Sequence, residues 1–265
     1  MSDWEVHAVK YADRNARTRA DSFIFDDNHD APHAMDYFMW VLRRGDEVIL
    51  VDTGYDTAEA QARARPIRIH PAEALAPLGL APEAIDHVIV THLHYDHAGG
   101  LHLFPNAQLH LQSAEMAFAT GPCMCHPTLR MPFTAGHICT AIERLYRGKM
   151  QFYDGDGEVA EGVTVHCIGG HSRGLQAVRV RTQAGWLVLA SDAAHFYENL
   201  FARKPFPIVV DMQDMLDGFV RLEKLASDRQ LIIPGHDPLV GQHFPGGCAD
   251  HIWRLDRGPK SPVPQ

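Results

Sequence analysis

Apolar residues along the chain fall into short blocks separated by Gly, Pro and charged clusters, and the blocks with β-like character predict strands. "WEVHAV" (4–9), "YFMWVL" (37–42) and "EVILVDTG" (47–54) come first, the latter two joined by the turn "RRGD" (43–46). "DHVIVTH" (86–92) and "AQLHLQ" (107–112) follow. A later group comprises "GVTVHCIGG" (162–170), "QAVRVRT" (176–182), "GWLVLASD" (185–192) and "RQLIIPGHD" (229–237), with "TQAG" as a hairpin turn. Helical patterns occupy 57–64, 71–78, 113–119, a stretch near 136–148, and 211–227. In the last of these, Met212, Met215, Leu216, Phe219, Leu222 and Leu225 recur at helical spacing, as on a helix that faces a core. Strand hairpins and helices mixed through one chain predict a layered α/β fold with buried sheets, organised as a single domain over 1–265. No linker, repeat or low-complexity tract interrupts it. The tail "RGPKSPVPQ" (257–265) is expected to fray or lie over the surface.

Composition narrows the possibilities. Of 265 residues, 46% are hydrophobic and 22% charged, which supplies a sizeable core and leaves no large disordered part. The net charge of −9, with no basic block to offset it, argues against a nucleic-acid partner. Five cysteines form an odd, unevenly spaced set that does not resemble a disulfide framework. The first residues carry no signal-peptide pattern, and no apolar run approaches the roughly 20 residues needed to span a bilayer. A soluble cytoplasmic protein with reduced thiols is expected, without a membrane partner. The unusual total is histidine, at 18.

Three histidines and an aspartate stand within six residues in "VIVTHLHYDHAGG" (88–100), just after an apolar strand. On the loop at a sheet edge, His92, His94, Asp96 and His97 can converge, and imidazole and carboxylate are ligand types suited to Zn²⁺ and related ions. Four ligands closing one tetrahedral site would leave no open position, whereas two ions sharing ligands from several loops would leave room for water. Gly99 and Gly100 suit a tight backbone passage beneath such a site. The same grammar recurs: "VTVHCIGGHSRG" runs into His171, "WLVLASDAAH" ends at Asp192, and "LIIPGHD" ends at His236.

With these residues in view, the chain resembles the metallo-β-lactamase superfamily. The signature H-x-H-x-D-H stands at His92, His94, Asp96 and His97. His171, Asp192 and His236 follow in family order, and "LVDTG" (50–54) resembles the early strand-end Asp motif. The resemblance spans about residues 37–240 and implies an αβ/βα four-layer sandwich with metals at one edge of the two sheets. It further implies that His92, His94 and His171 hold one ion and that Asp96, His97 and His236 hold a second, with Asp192 bridging. The implied cofactor is two divalent ions per chain, zinc first, with iron, manganese or cobalt as alternatives. Asp52 would orient a ligand histidine; the competing reading makes it a turn-former before Gly54.

Within the superfamily the chain is most similar to the acyl-homoserine lactonase and pyridoxolactonase branch. The cues are its length, "YFMWVLRRGDEVILVDTGYD", "HLHYDHAGGLHLFPNAQLHLQ" and "SDAAHFYENL". The implied reaction is hydrolytic opening of a lactone, a small-molecule cyclic ester, by a hydroxide ionised between two cations. Asp96 could pass a proton to the leaving ring oxygen. In homoserine lactonases of this type a tyrosine stands three residues beyond the bridging Asp; here that residue is His195, and Tyr197 is an alternative for the same place. Arg173 is a candidate partner for a polar or anionic substrate. Tyr37 and Phe38, with His33, Met35, Met124 and Phe133, are candidates for an apolar entrance, and "PCMCHP" (122–127) reads as an insertion loop near the pocket. Alternatives are a glyoxalase II-like or β-lactamase-like hydrolase of another ester, thioester or amide, or a non-catalytic metabolite binder. Either a monomer or a homodimer is compatible with the sequence.

Overall fold

The computed structural model describes residues 3–263; Met1, Ser2, Pro264 and Gln265, at the ends of the segments read above, lie outside the described residues. The strands are β1 (Glu5–Arg14), β2 (Met35–Arg44), β3 (Glu47–Val51), β4 (His87–Ile89), β5 (Gln108–Gln112) and β6 (Met150–Tyr153). They continue as β7 (Gly157–Ala160), β8 (Val163–Cys167), β9 (Gln176–Thr182), β10 (Gly185–Ser191), β11 (Ile232–Pro234) and β12 (Ile252–Arg254). A seven-stranded sheet has the order β12-β1-β2-β3-β4-β5-β6, and a five-stranded sheet the order β11-β10-β9-β8-β7. Both expected hairpin turns are present: Arg44 pairs with Glu47 across a two-residue loop in which Gly45 has φ +60°, and Thr182 pairs with Gly185.

The apolar runs are continuous because both faces of each sheet are covered. Along β2, Tyr37, Met39 and Val41 point to the helical side of the first sheet, where they meet Phe118, Ile138 and Ala141. Phe38, Trp40 and Leu42 point the other way, into a core shared with Val165, Val178, Val180, Leu187 and Leu189 of the second sheet. On the far face of that sheet, Ala177, Val188, Ala190 and Ile232 pack against Met215, Phe219 and Leu222 of the helix Met212–Leu225. The layers are therefore helix, sheet, sheet, helix, as expected. Leu216 departs from the expected stripe: it lies on the outward side of its helix and is 37% exposed. The tail folds back far enough to bury Val263 between the sheets.

Strands β6, β7 and β12 escaped the sequence reading. All three are sheet-edge strands of three or four residues, too short for alternation to stand out. The single-turn helices at Tyr95–Ala98, Pro127–Arg130, Tyr197–Phe201 and Leu239–His243 are short for the same reason. All five cysteines are free thiols. Among the described residues no helix is long and apolar enough to cross a membrane.

Candidate metal centre

Strand direction assembles the site. β3 runs parallel to β4, β10 runs parallel to β11, and β8 lies parallel to β10 across the intervening antiparallel β9. Their C-terminal ends therefore open onto a common edge, where crevices form in such sheets. Asp52 follows β3; His92, His94, Asp96 and His97 follow β4. His171 follows β8, Asp192 and His195 follow β10, and His236 follows β11. After His97 the chain must pass hard against the loop behind β3. A Cβ on Gly100 would lie 2.3 Å from the Thr53 carbonyl oxygen, so only bare backbone fits there.

The Asp192 carboxylate stands at the middle. Its Oδ1 is 3.0 Å from His236 Nε2 and 3.2 Å from His97 Nε2. Its Oδ2 is 3.2 Å from His171 Nε2, 3.9 Å from His92 Nε2 and 2.9 Å from His195 Nε2. Asp96 closes the first group, its carboxylate oxygens each 3.9 Å from His97 Nε2 or His236 Nε2. His94 closes the second, with Nδ1 2.9 Å from His171 Nε2. The structure thus brings the seven expected side chains together and sorts them into two sets, one on each oxygen of Asp192. Within the triples His92/His94/His171 and Asp96/His97/His236, one ligand atom from each residue lies within 4.8 Å of those of the other two.

These rings are aimed from behind. Asp52, fully buried, accepts from Thr91 N at 2.7 Å and Thr91 Oγ1 at 2.8 Å, and from His97 Nδ1 at 2.7 Å. The last bond fixes the His97 tautomer and turns its Nε2 toward Asp192. His236 donates from Nδ1 to the Asp36 carbonyl at 2.8 Å, and His92 Nδ1 meets Thr91 Oγ1 at 3.2 Å. Asp52 and Ser191, which touch Thr91 from the two sheets, both hold left-handed backbone (φ +59° and +47°). Such strain in side-chain-bearing residues concentrates at functional sites.

A divalent pair fits this donor set. His92 Nε2, His97 Nε2 and Asp192 Oδ1 are buried without hydrogen-bond partners, although unpaired buried polar atoms are unfavourable. Two ligands on a tetrahedral ion with bonds of about 2.0–2.1 Å stand roughly 3.3 Å apart, close to the spacings above. Burial pushes the His92 and His94 imidazoles well below their ordinary pKa, toward the neutral form that binds metal. Burial acts on His97 in the same sense, but the carboxylates of Asp192, Asp52 and Asp96 outweigh it and raise the group. Burial likewise opposes ionisation of Asp192, and the surrounding His236, His97 and His195 overcome it, holding the carboxyl well below its usual range.

The metallo-β-lactamase superfamily model matches residues 36–243. The chain belongs to that superfamily. An N-acyl homoserine lactonase of Bacillus cereus is 30% identical over 165 residues, or 62% of this chain; the match spans only 60% of that relative's length. Among solved structures, an N-acyl homoserine lactone hydrolase with the product N-hexanoyl-L-homoserine at its catalytic metal centre superposes with a TM-score of 0.73. It is 23% identical and is matched over 90% of this chain and 95% of that one. AidC, a dizinc quorum-quenching lactonase, gives 0.71 at 17% identity over 100% and 97% of the two chains. At those identities the superpositions establish the superfamily fold.

Other expected residues of this superfamily member divide into those at the site and those away from it. The His195 ring lies 3.9 Å from that of Phe206, and burial pushes its pKa down to about 3. Tyr37 presents its ring edge-on to His236 at 5.1 Å, His33 packs on Phe196 at 4.4 Å, and Phe133 packs on His94 at 4.6 Å. Arg173 is exposed, its guanidinium 6.0 Å over Phe118, on a cleft of about 370 Å³ that also takes in Gly170, Cys123 and Asp211. Met124 lines a second apolar cleft with Met131 and Phe133.

Phe38 is a correction. Strand alternation turns it away from its neighbour Tyr37 and into the core between the sheets, against Trp40 and Trp253, so it cannot line an entrance. Tyr197 is another. It belongs to the same inter-sheet core, stacks on Phe201 at 5.8 Å, and its backbone N–H bonds Asp237, so its hydroxyl does not join the cluster.

Sequence reasoning missed Glu115. Fully buried, it accepts from Leu93 N at 2.9 Å and Gly174 N at 3.0 Å and from the Ser172 hydroxyl, tying the His92–His94 loop to the His171 loop. A signal was available: in "SAEMAFA" the acid lies three and four residues before Phe118 and Ala119, on the apolar face of its helix.

Proposed function

We propose that this chain is a dinuclear metal-dependent hydrolase that opens the ester ring of a lactone, the whole chain 1–265 acting as one domain. The observation that carries the reading is the Asp192 carboxylate, with a separate ligand set facing each of its oxygens. His92, His94 and His171 would hold one ion, and Asp96, His97 and His236 the other, with Asp192 between them. Zinc is the first choice for a His/Asp set of this kind. When bound, such a pair supplies Lewis acidity and brings the pKa of water toward neutrality.

The chain's own residues do the rest. Asp52 and the Asp36 carbonyl keep His97 and His236 in the tautomer that offers Nε2 to the centre. His195 Nε2 lies 2.9 Å from Asp192 Oδ2; with that oxygen taken up by an ion, its N–H would donate a hydrogen bond to the substrate carbonyl oxygen. Asp96, the least buried of the seven, is placed to return a proton to the ring oxygen as the C–O bond breaks. Phe133 and Phe206, packed on His94 and His195, keep bulk water from that side. The similarity to N-acyl homoserine lactonases supports an ester ring as substrate.

The test is turnover of purified, metal-loaded protein on lactones, thioesters, β-lactams and phosphodiesters. Lactones should be hydrolysed fastest, with activity lost to chelator and restored by zinc, manganese or cobalt. Preference for another class would replace the substrate assignment, and chelator-resistant turnover would exclude the metal mechanism.

A further inference from the structure

At the edge of the sandwich opposite the metal centre lies a basic hollow that the hydrolase reading does not use. β3 leads to Asp52 and the metal edge at its C-terminal end, while β2 runs antiparallel to β3 and β1 antiparallel to β2. The end of β2 at Arg43 and the start of β1 at Glu5 therefore lie at the other edge. A cavity of about 360 Å³ opens there, and Arg43, Arg254, Arg257, Glu5 and His7 line it. Strand pairing fixes one wall: Glu5 stands opposite Arg43, and His7, two residues on and so on the same face, opposite Arg254. Two hydrogen bonds tie on the other: Arg43 Nη1 donates to the Leu78 carbonyl at 3.3 Å, and the Cys248 thiol to the Pro77 carbonyl at 3.3 Å.

The three guanidiniums are unequally committed. Arg254 donates to both oxygens of Asp256 at 2.8 Å and lies 3.2 Å from Glu5. Arg43 reaches only neutral oxygens, the carbonyls of Leu78 and, at 3.4 Å, Gly45. Arg257 is exposed and, among the described residues, has no hydrogen bond or ion pair. Both nearby acids are thus engaged by Arg254, and two positive charges line the cavity without a carboxylate, on a chain whose net charge is −9. His7, in the same lining, is 6% exposed and its Nδ1 lacks a hydrogen-bond partner, which is uncommon for a buried polar atom.

We propose that this hollow is a binding site for a phosphate monoester, separate from the metal centre and independent of the reaction assigned there. Two guanidiniums without acidic partners match the charge of about −2 that such a group carries at neutral pH, and their planar forks suit its oxygens. Pro77 and Leu78, on the wall beside Arg43, give the ester's carbon part an apolar surface. The volume is that of a small-molecule pocket.

The experiment titrates metal-loaded protein calorimetrically with ethyl phosphate, inorganic phosphate and succinate at one ionic strength. Wild type should bind ethyl phosphate with a Kd below about 1 mM, and more tightly than either of the other two. Arg43→Gln and Arg257→Gln should each weaken that binding about tenfold with metal content unchanged, while Arg257→Lys recovers part of the loss. Ethyl phosphate should also shift the imidazole resonances of His7, which locates it in this cavity. Phosphate bound at the metal centre instead would leave His7 unmoved and survive both Gln variants. That outcome overturns the site, as does wild-type protein that shows no saturable binding. Tighter binding of succinate or of inorganic phosphate overturns the monoester as its ligand. Should Arg43→Gln fail to fold, the two variants of the exposed Arg257 decide the matter by the same criteria.

Discussion

Replacing Asp52 by Asn changes one buried charge and almost no shape. Asn tolerates the left-handed backbone at this position (φ +59°) as Asp does, so the substitution isolates the side chain. If the Asn oxygen keeps the bond from Thr91 N, its amide group takes the place of Oδ2, 2.7 Å from His97 Nδ1. An amide N–H there requires a lone pair on Nδ1, which moves the ring proton to Nε2, the atom that faces Asp192. The ion held by Asp96, His97 and His236 then binds against the wrong tautomer. Loss of such an orienting partner lowers metal affinity by about 10–100-fold, or roughly 1.4–2.7 kcal/mol. The other ion, on His92, His94 and His171, keeps its ligands and should stay. Thr91 Oγ1 retains Ser191 Oγ at 2.8 Å as a partner, which limits the damage to folding. Competition against a chromophoric chelator should therefore resolve one ion at wild-type affinity and one weakened. Two ions held as tightly as in the wild type would refute the orienting role of Asp52.

Other perturbations probe separate parts of the account. His195→Phe should leave both ions in place and lower kcat by about 10²-fold, as for loss of one donor to a developing oxyanion; an unchanged rate removes His195 from catalysis. Glu115→Ala strips acceptors from Leu93 N, Ser172 Oγ and Gly174 N and should destabilise the fold by about 3 kcal/mol in denaturant titration, whereas a shift under about 0.5 kcal/mol would show that the two loops do not depend on it. His110 bridges His87 and Tyr153, and burial, aided by His87, pushes its pKa down to about 4. With the folded value below the unfolded one, its contribution is complete above about pH 6.5 and is lost as pH falls through 4, a difference of about 3 kcal/mol. His110→Gln should flatten that acid limb of stability against pH, and an unaltered slope would contradict the assignment.

The layers and the seven-residue cluster were legible because each ligand stands just past an apolar run, and strand direction turned that sequence habit into a shared edge. Asp52 could be read as an orienting residue from "LVDTG", and its bond to His97 follows that expectation. What stayed hidden were facts of register and long-range contact. One step along β2 separates Tyr37 at the site from Phe38 in the inter-sheet core, and a run apolar on both faces gives no sign of which is which. Tyr197 sits two residues beyond His195, yet the turn into its short helix carries it into the core between the sheets. Arg17 looks like an ordinary surface arginine in "RNARTRAD", yet it is buried, bonded to the Asp21 carbonyl and next to the pairing of Thr18 with Pro32. Contacts of that range leave no periodic trace.

The most direct test is anomalous diffraction from crystals of zinc-loaded protein, recorded at the zinc edge. Two peaks per chain are expected, one among His92, His94 and His171 and one among Asp96, His97 and His236, each bonded to a different oxygen of Asp192. A single fully coordinated ion, or Asp192 bonded to neither peak, would contradict the account.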